Sequence, residues 1–105
     1  MKTIGISKYY HIYQKPGDRR FYVQIPEQTV EFRFCELFEF RGKVPSIDLS
    51  AHFDYSQPGI EILTFCGGKY LCVFTTVQIV DLQKLLFEIF EGVSEKEIFT
   101  KYVLL

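Results

Sequence analysis

Residues Thr29 to Arg41 read TVEFRFCELFEFR, and two periods run through them at once. Val30, Phe32 and Phe34 alternate with Glu31, Arg33 and Cys35, the repeat of a half-buried strand. Val30, Phe34, Leu37, Phe38 and Arg41 also fall on one face of a helix. The ambiguity is lifted by a faint second copy further along the chain. At one fixed offset, Phe21-Tyr22-Val23, Thr29-Val30 and Leu37-Phe38-Glu39 are answered by Tyr70-Leu71-Cys72, Gln78-Ile79 and Leu86-Phe87-Glu88. In that copy Asp81 is a candidate N-cap, Leu82, Leu85, Leu86, Ile89 and Phe90 keep helical spacing, and Gly92 is a stop. By analogy, Thr29 to about Phe34 is a strand and Cys35 to Arg41 a short helix. Val77 to Val80 becomes the short strand before the second helix. Each half then reads as a β-β-α unit.

Working outward, Lys8 to Gln14 and Arg19 to Ile25 flank Lys15-Pro16-Gly17-Asp18. Pro presets φ and Gly accepts a positive φ, so a β-hairpin is expected. Gly42 to Gly59, with Pro45 and Pro58, reads as a connector that holds one strand near Ser46 to Phe53. Ile60 to Cys66 and Lys69 to Phe74 enclose Gly67-Gly68, a strong hairpin signal that pairs Phe65 with Tyr70 and Leu63 with Cys72. Both faces of this hairpin are apolar: Ile60, Ile62, Leu71 and Val73 on one, Leu63, Phe65, Tyr70, Cys72 and Phe74 on the other. Such a hairpin is covered on each side or by another subunit. Ser94 and Glu97 match a capping box, and Ile98, Tyr102 and Leu105 follow at helical spacing. The expected fold is a single α+β domain over residues 1–105. It has a mostly antiparallel sheet of five or six strands, built from two β-hairpin-plus-helix halves, and a short C-terminal helix.

The chain has 105 residues and a net charge of −1, with 17% aromatic residues. Eleven Phe and seven Tyr in so small a domain make an aromatic core the main source of stability. The even charge balance supplies no global field toward nucleic acid or an anionic membrane. No stretch approaches the about 20 apolar residues of a membrane span, and no signal peptide is visible at the start, so a cytoplasmic location is expected. Cys35, Cys66 and Cys72 are odd in number and lack CxxC spacing, which argues for reduced thiols, most of them buried.

His11, His52, the three cysteines and Asp54 are the residues from which a zinc site would be drawn, but no pair has the spacing of one. No metal or cofactor is therefore expected. His52-Phe53-Asp54 could orient an imidazole to activate Cys66 or Cys72, a small Cys/His enzyme being the third-ranked reading. Cys66-Gly67-Gly68-Lys69 lies between strands rather than before a helix, so it reads as a turn and not as a phosphate loop. Glu36, Glu39, Glu88 and Glu91 fit exposed helix faces.

Lys8, Tyr10, His11, Arg19, Arg20 and Tyr22 interleave base and ring on the N-terminal hairpin. That is the composition of a single-stranded nucleic-acid platform, and equally of a protein-partner surface or a solvated edge. Tyr13-Gln14, Phe21-Tyr22-Val23, Leu37-Phe38-Glu39-Phe40, Lys69 to Phe74 and Leu82 to Phe90 together resemble short Bacteroidota proteins of unknown function. The resemblance implies a similar fold and transfers no functional residue. The leading expectation is a non-enzymatic interaction or regulatory domain, homodimeric through Leu63, Phe65, Tyr70 and Phe74. A nucleic-acid-binding module on the N-terminal hairpin is the alternative.

Overall fold

Thr29 to Phe32 is a strand and Phe34 to Lys43 a helix, so both periods in the deciding stretch are used, one after the other. The computed structural model describes residues 1–53 and 59–104. The elements run β1 (Lys2–Ile6), β2 (His11–Gln14), β3 (Phe21–Gln24), β4 (Thr29–Phe32), α1 (Phe34–Lys43), a 3-10 turn (Ser50–Phe53), β5 (Ile60–Phe65), β6 (Tyr70–Thr75), α2 (Thr76–Phe90) and α3 (Glu95–Tyr102). The class is α+β, with two β-β-α units in series.

The strands form two sheets rather than one. β1-β2-β3-β4 is an antiparallel meander, and β5-β6 is a separate hairpin in the expected register, Phe65 opposite Tyr70 and Leu63 opposite Cys72. Side chains occupy the gap between the sheets. Gln28 Nε2 donates to Leu71 O at 3.0 Å, the Glu31 N–H reaches Tyr70 Oη at 3.4 Å, and the Cys66 thiol faces Glu31 O at 3.6 Å. The outer backbone edge of β4 is thus met by side chains and not by another strand, which is why a single sheet of five or six strands does not form.

Three sequence expectations are corrected. Val77 to Val80 is the first turn of α2, because Ile79 is fully buried and extends the Leu82–Leu86 helical face. Thr75, not Asp81, is the N-cap: its side chain accepts from the Gln78 N–H at 3.3 Å, and the Gln78 side chain accepts from the Thr75 N–H at 2.9 Å. Ser46 to Phe53 is not a strand. The Ile47 N–H closes a turn on Val44 O, and the Asp48 carboxylate accepts from the Ser50 N–H. The part of that connector at residues 54–58 lies outside the described residues.

The echo therefore aligned the helices correctly and the strands wrongly. It matched β3 with β6 and β4 with the start of α2, whereas the structural units pair β3-β4 with β5-β6. β1, which carries no clear period, was not expected. It pairs with β2 through a register shift between Thr3 and Gly5.

One core joins all the layers. Phe32 of β4, Phe40 of α1 and Phe65 of β5 meet with ring centroids 4.9, 5.8 and 5.2 Å apart, sealing the seam between the sheets. Each such pair adds about 1 kcal/mol beyond the area it buries. α2 buries Ile79, Leu82, Leu85, Leu86 and Phe90, and Gly92 at φ +69° follows its end. Ser94 caps α3 by accepting from the Glu97 N–H at 3.2 Å, and Ile98 is buried beneath it. Leu105 lies outside the described residues.

Candidate functional site

Strand alternation decides which side of each sheet meets solvent. In β5-β6 the inward set is Leu63, Phe65, Cys72 and Phe74, all buried, with Tyr70 partly so. The expected dimer surface of Leu63, Phe65, Tyr70 and Phe74 is therefore the core face, and it cannot meet a partner without opening the domain. The outward set is Ile60, Ile62, Thr64, Leu71, Val73 and Thr75. Its four apolar members are 45%, 58%, 60% and 49% exposed in the order Ile60, Ile62, Leu71, Val73. Register places Ile62 opposite Val73 and Thr64 opposite Leu71, so these side chains form one continuous strip without a charge.

The six residues of the N-terminal surface do not share one face. Tyr10 is buried and donates its hydroxyl to Gln78 O at 2.8 Å, and that burial pushes its phenol far up. Lys8 sits in the β1–β2 turn, while Arg19 and Arg20 stand at the other end of β2. His11 and Tyr22 share a face in a row with Tyr13, but Tyr22 is buried there and only His11 and Tyr13 are partly exposed. Tyr13 stacks on Tyr22 at 5.4 Å between centroids, and His11 leans on Tyr13 at 4.8 Å. Arg20 is neutralised by Glu31 at 3.0 Å. The Tyr22 hydroxyl donates to Asp18 and lies 3.2 Å from Glu31 Oε1. These carboxylates, Asp18 above all, push the Tyr22 phenol up to about 12, while the Tyr22 hydrogen bond holds Asp18 below the usual carboxylate range.

A second polar cluster gathers residues from three elements. His52 Nδ1 lies 2.7 Å from Thr76 Oγ1 and Nε2 lies 3.0 Å from Glu61 Oε1, the ring being almost wholly buried. Sequence reasoning singled out His52 but paired it with Asp54, which lies outside the described residues. Thr76 and Glu61 went unnoticed, since nothing local links them to His52. Hydroxyl, imidazole and carboxylate stand in the order that nucleophilic catalysis uses. Thr76, however, donates its own proton to Gly59 O at 3.2 Å, and both ring nitrogens are occupied. The cluster ties the 3-10 turn to the starts of β5 and α2, and neither imidazole nitrogen is turned toward a thiol.

Cys66 and Cys72 are held protonated. Burial first, then the hydrogen-bonded Glu36 carboxylate, pushes Cys66 up to about 11, and burial raises Cys72. Only Cys72 is buried; Cys66 is half-buried and Cys35 exposed, against the expectation that most would be interior. Cys66 also takes a left-handed φ of +56°, a conformation that costs a non-glycine residue about 1 kcal/mol. Its cleft holds Arg20, Arg33 and Lys69, with the two arginines paired to Glu31 and Glu36.

Among the described residues, no three His, Cys, Asp or Glu side chains come together as a metal site, and no helix is long and apolar enough to cross a membrane. Neither a family model, nor a curated protein, nor a solved structure matches this chain.

Proposed function

We propose that this chain is a non-enzymatic interaction module that pairs with a second copy of itself through the outer face of the β5–β6 hairpin. The observation that carries this reading is the uncharged strip Ile60, Ile62, Leu71 and Val73, flanked by Thr64 and Thr75. Two copies related by a two-fold axis bring identical strips together without opposing like charges. Branched side chains on two facing hairpins interdigitate as packed sheets do, about 10 Å apart. A stable partner buries about 800 Å² per side. The engaged His52 ring and the protonated Cys66 and Cys72 thiols support the non-enzymatic part of the reading.

Light scattering on the native chain at low and high protein concentration tests it. A dimer is expected, and Ile62→Lys should convert it to a folded monomer, because a lysine there opposes its own copy across the axis. A native chain that stays monomeric at high concentration sinks the proposal.

A further inference from the structure

We propose a binding site for the phosphate backbone of a single-stranded nucleic acid, in the groove between the β2–β3 turn and the end of α3. The groove, about 460 Å³, is walled by Lys2 of β1, Lys15 and Arg19 of the turn, and Tyr102 of α3. Lys101, beside Tyr102, adds a fourth cation. Among the described residues none of these four has a carboxylate within 4.0 Å, whereas Arg20 and Arg33 are each paired.

Aromatic faces hold the lysines instead. Lys2 and Lys101 lie 4.6 and 5.4 Å from the Tyr102 ring centroid, and Lys15 lies 4.4 Å from that of Tyr22. A ring face positions an ammonium without neutralising it, so the charge stays available to an anion. Asp18, the acid in the groove wall, is already engaged by the Tyr22 hydroxyl and the Arg20 N–H.

Exposure of the cations selects the ligand. An exposed ion pair with a small anion is worth little, but a polymer adds contacts and releases a counterion at each. Beyond Lys15 the half-exposed Tyr13, stacked on the buried Tyr22, offers one ring on the outer face of the meander, where it meets an unstacked base rather than a duplex. This surface is separate from the proposed dimer strip, so the two readings stand or fall independently.

Fluorescence anisotropy of a labelled oligo-dT, at about 50 and about 200 mM salt, tests the site. The native chain should bind and weaken steeply with salt. Lys15→Ala with Arg19→Ala, both exposed, should lower affinity at least tenfold at the lower salt and flatten the logarithmic salt slope by about 1.4. Tyr13→Ala should lower affinity with the slope unchanged. Lys84→Ala with Lys96→Ala removes equal charge elsewhere and should change affinity less than twofold. The inference is overturned if oligo-dT fails to bind at the lower salt, or if the two double variants behave alike. Duplex binding as tight as the single strand, or displacement by tripolyphosphate at equal phosphate concentration, would also overturn it.

Discussion

The Arg41 guanidinium joins the ends of the two long helices: Nη2 donates to Phe90 O at 3.0 Å and to Val93 O at 2.7 Å. The carbonyls at the end of α2 have no partner within the helix, and a planar cation there answers both the hydrogen bonds and the negative end of the helix dipole. The guanidinium also lies 5.5 Å from the Phe90 ring centroid and 5.9 Å from that of Phe38.

Arg41→Met keeps the apolar stem but removes the donors, so about 2 kcal/mol of stability should be lost. Arg41→Lys should recover only part of it, since its ammonium sits one bond nearer the backbone than the single Nη2 that reaches both carbonyls. Urea unfolding of the three proteins measures this. Equal stability of native and Met forms would show that water satisfies these carbonyls as well.

Gly5 sits where β1 crosses α2. A Cβ built there would lie 2.2 Å from Ile89 Cδ1 and 2.9 Å from Ile89 Cγ1. Gly5→Ala should therefore destabilise by about 1 to 3 kcal/mol through overpacking. Ile89→Val deletes the closest atom, so the double variant should lose less than the sum of the two single losses. Strict additivity in thermal or urea unfolding would contradict this contact.

These two contacts mark where sequence reading ended. The α2 core face, the Gly67-Gly68 hairpin register and the β2–β3 hairpin follow from local period and turn chemistry, which one segment carries by itself; in α1 the period turned Phe34, Leu37 and Phe38 inward, whereas Leu37 and Phe40 are the buried pair. The Thr75–Gln78 capping box was equally local and could have been read, but Asp81 drew the assignment. Asp81 instead accepts from Ser7 Oγ at 2.6 Å and from the Tyr9 N–H at 3.3 Å, which anchors the β1–β2 turn on α2. β1 is half-exposed on both faces and its register shifts between Thr3 and Gly5, so it has no period to detect. Which face of β5–β6 points inward depends on where α1 and α2 pack. With both faces apolar, alternation named the two sets without choosing between them. The His52 cluster was hidden for the same reason: its partners come from distant elements.

The three thiols should separate by reactivity. Cys35 is exposed and should be labelled first by a disulfide reagent at pH 8. Cys66, pushed up to about 11, is only about one part in a thousand thiolate there, and its rate should rise about tenfold per pH unit up to pH 10. Glu36→Gln removes a hydrogen-bonded negative neighbour and should speed Cys66 alone. Cys72 should react only on unfolding. Native Cys66 reacting as fast as Cys35 at pH 8 would refute the assignment.

Tyr22 and Asp18 shift each other in opposite directions, and the two shifts act at opposite ends of the pH scale. Asp18 is held below its ordinary value, so between the folded and unfolded values the unfolded chain binds more protons. Its contribution is present above the ordinary carboxylate value and is lost as pH falls through the folded one. Tyr22 is pushed up to about 12, so its contribution is complete below about pH 10 and disappears as pH rises from there toward 12. Tyr22→Phe removes the donor and leaves the ring stacked on Tyr13. In that variant the Asp18 carboxyl carbon should titrate closer to the ordinary range by NMR, and the fall in urea midpoint between pH 10 and 12 should shrink. An unchanged Asp18 titration would mean that the Arg20 N–H and the nearby cations, rather than the phenol, hold it down.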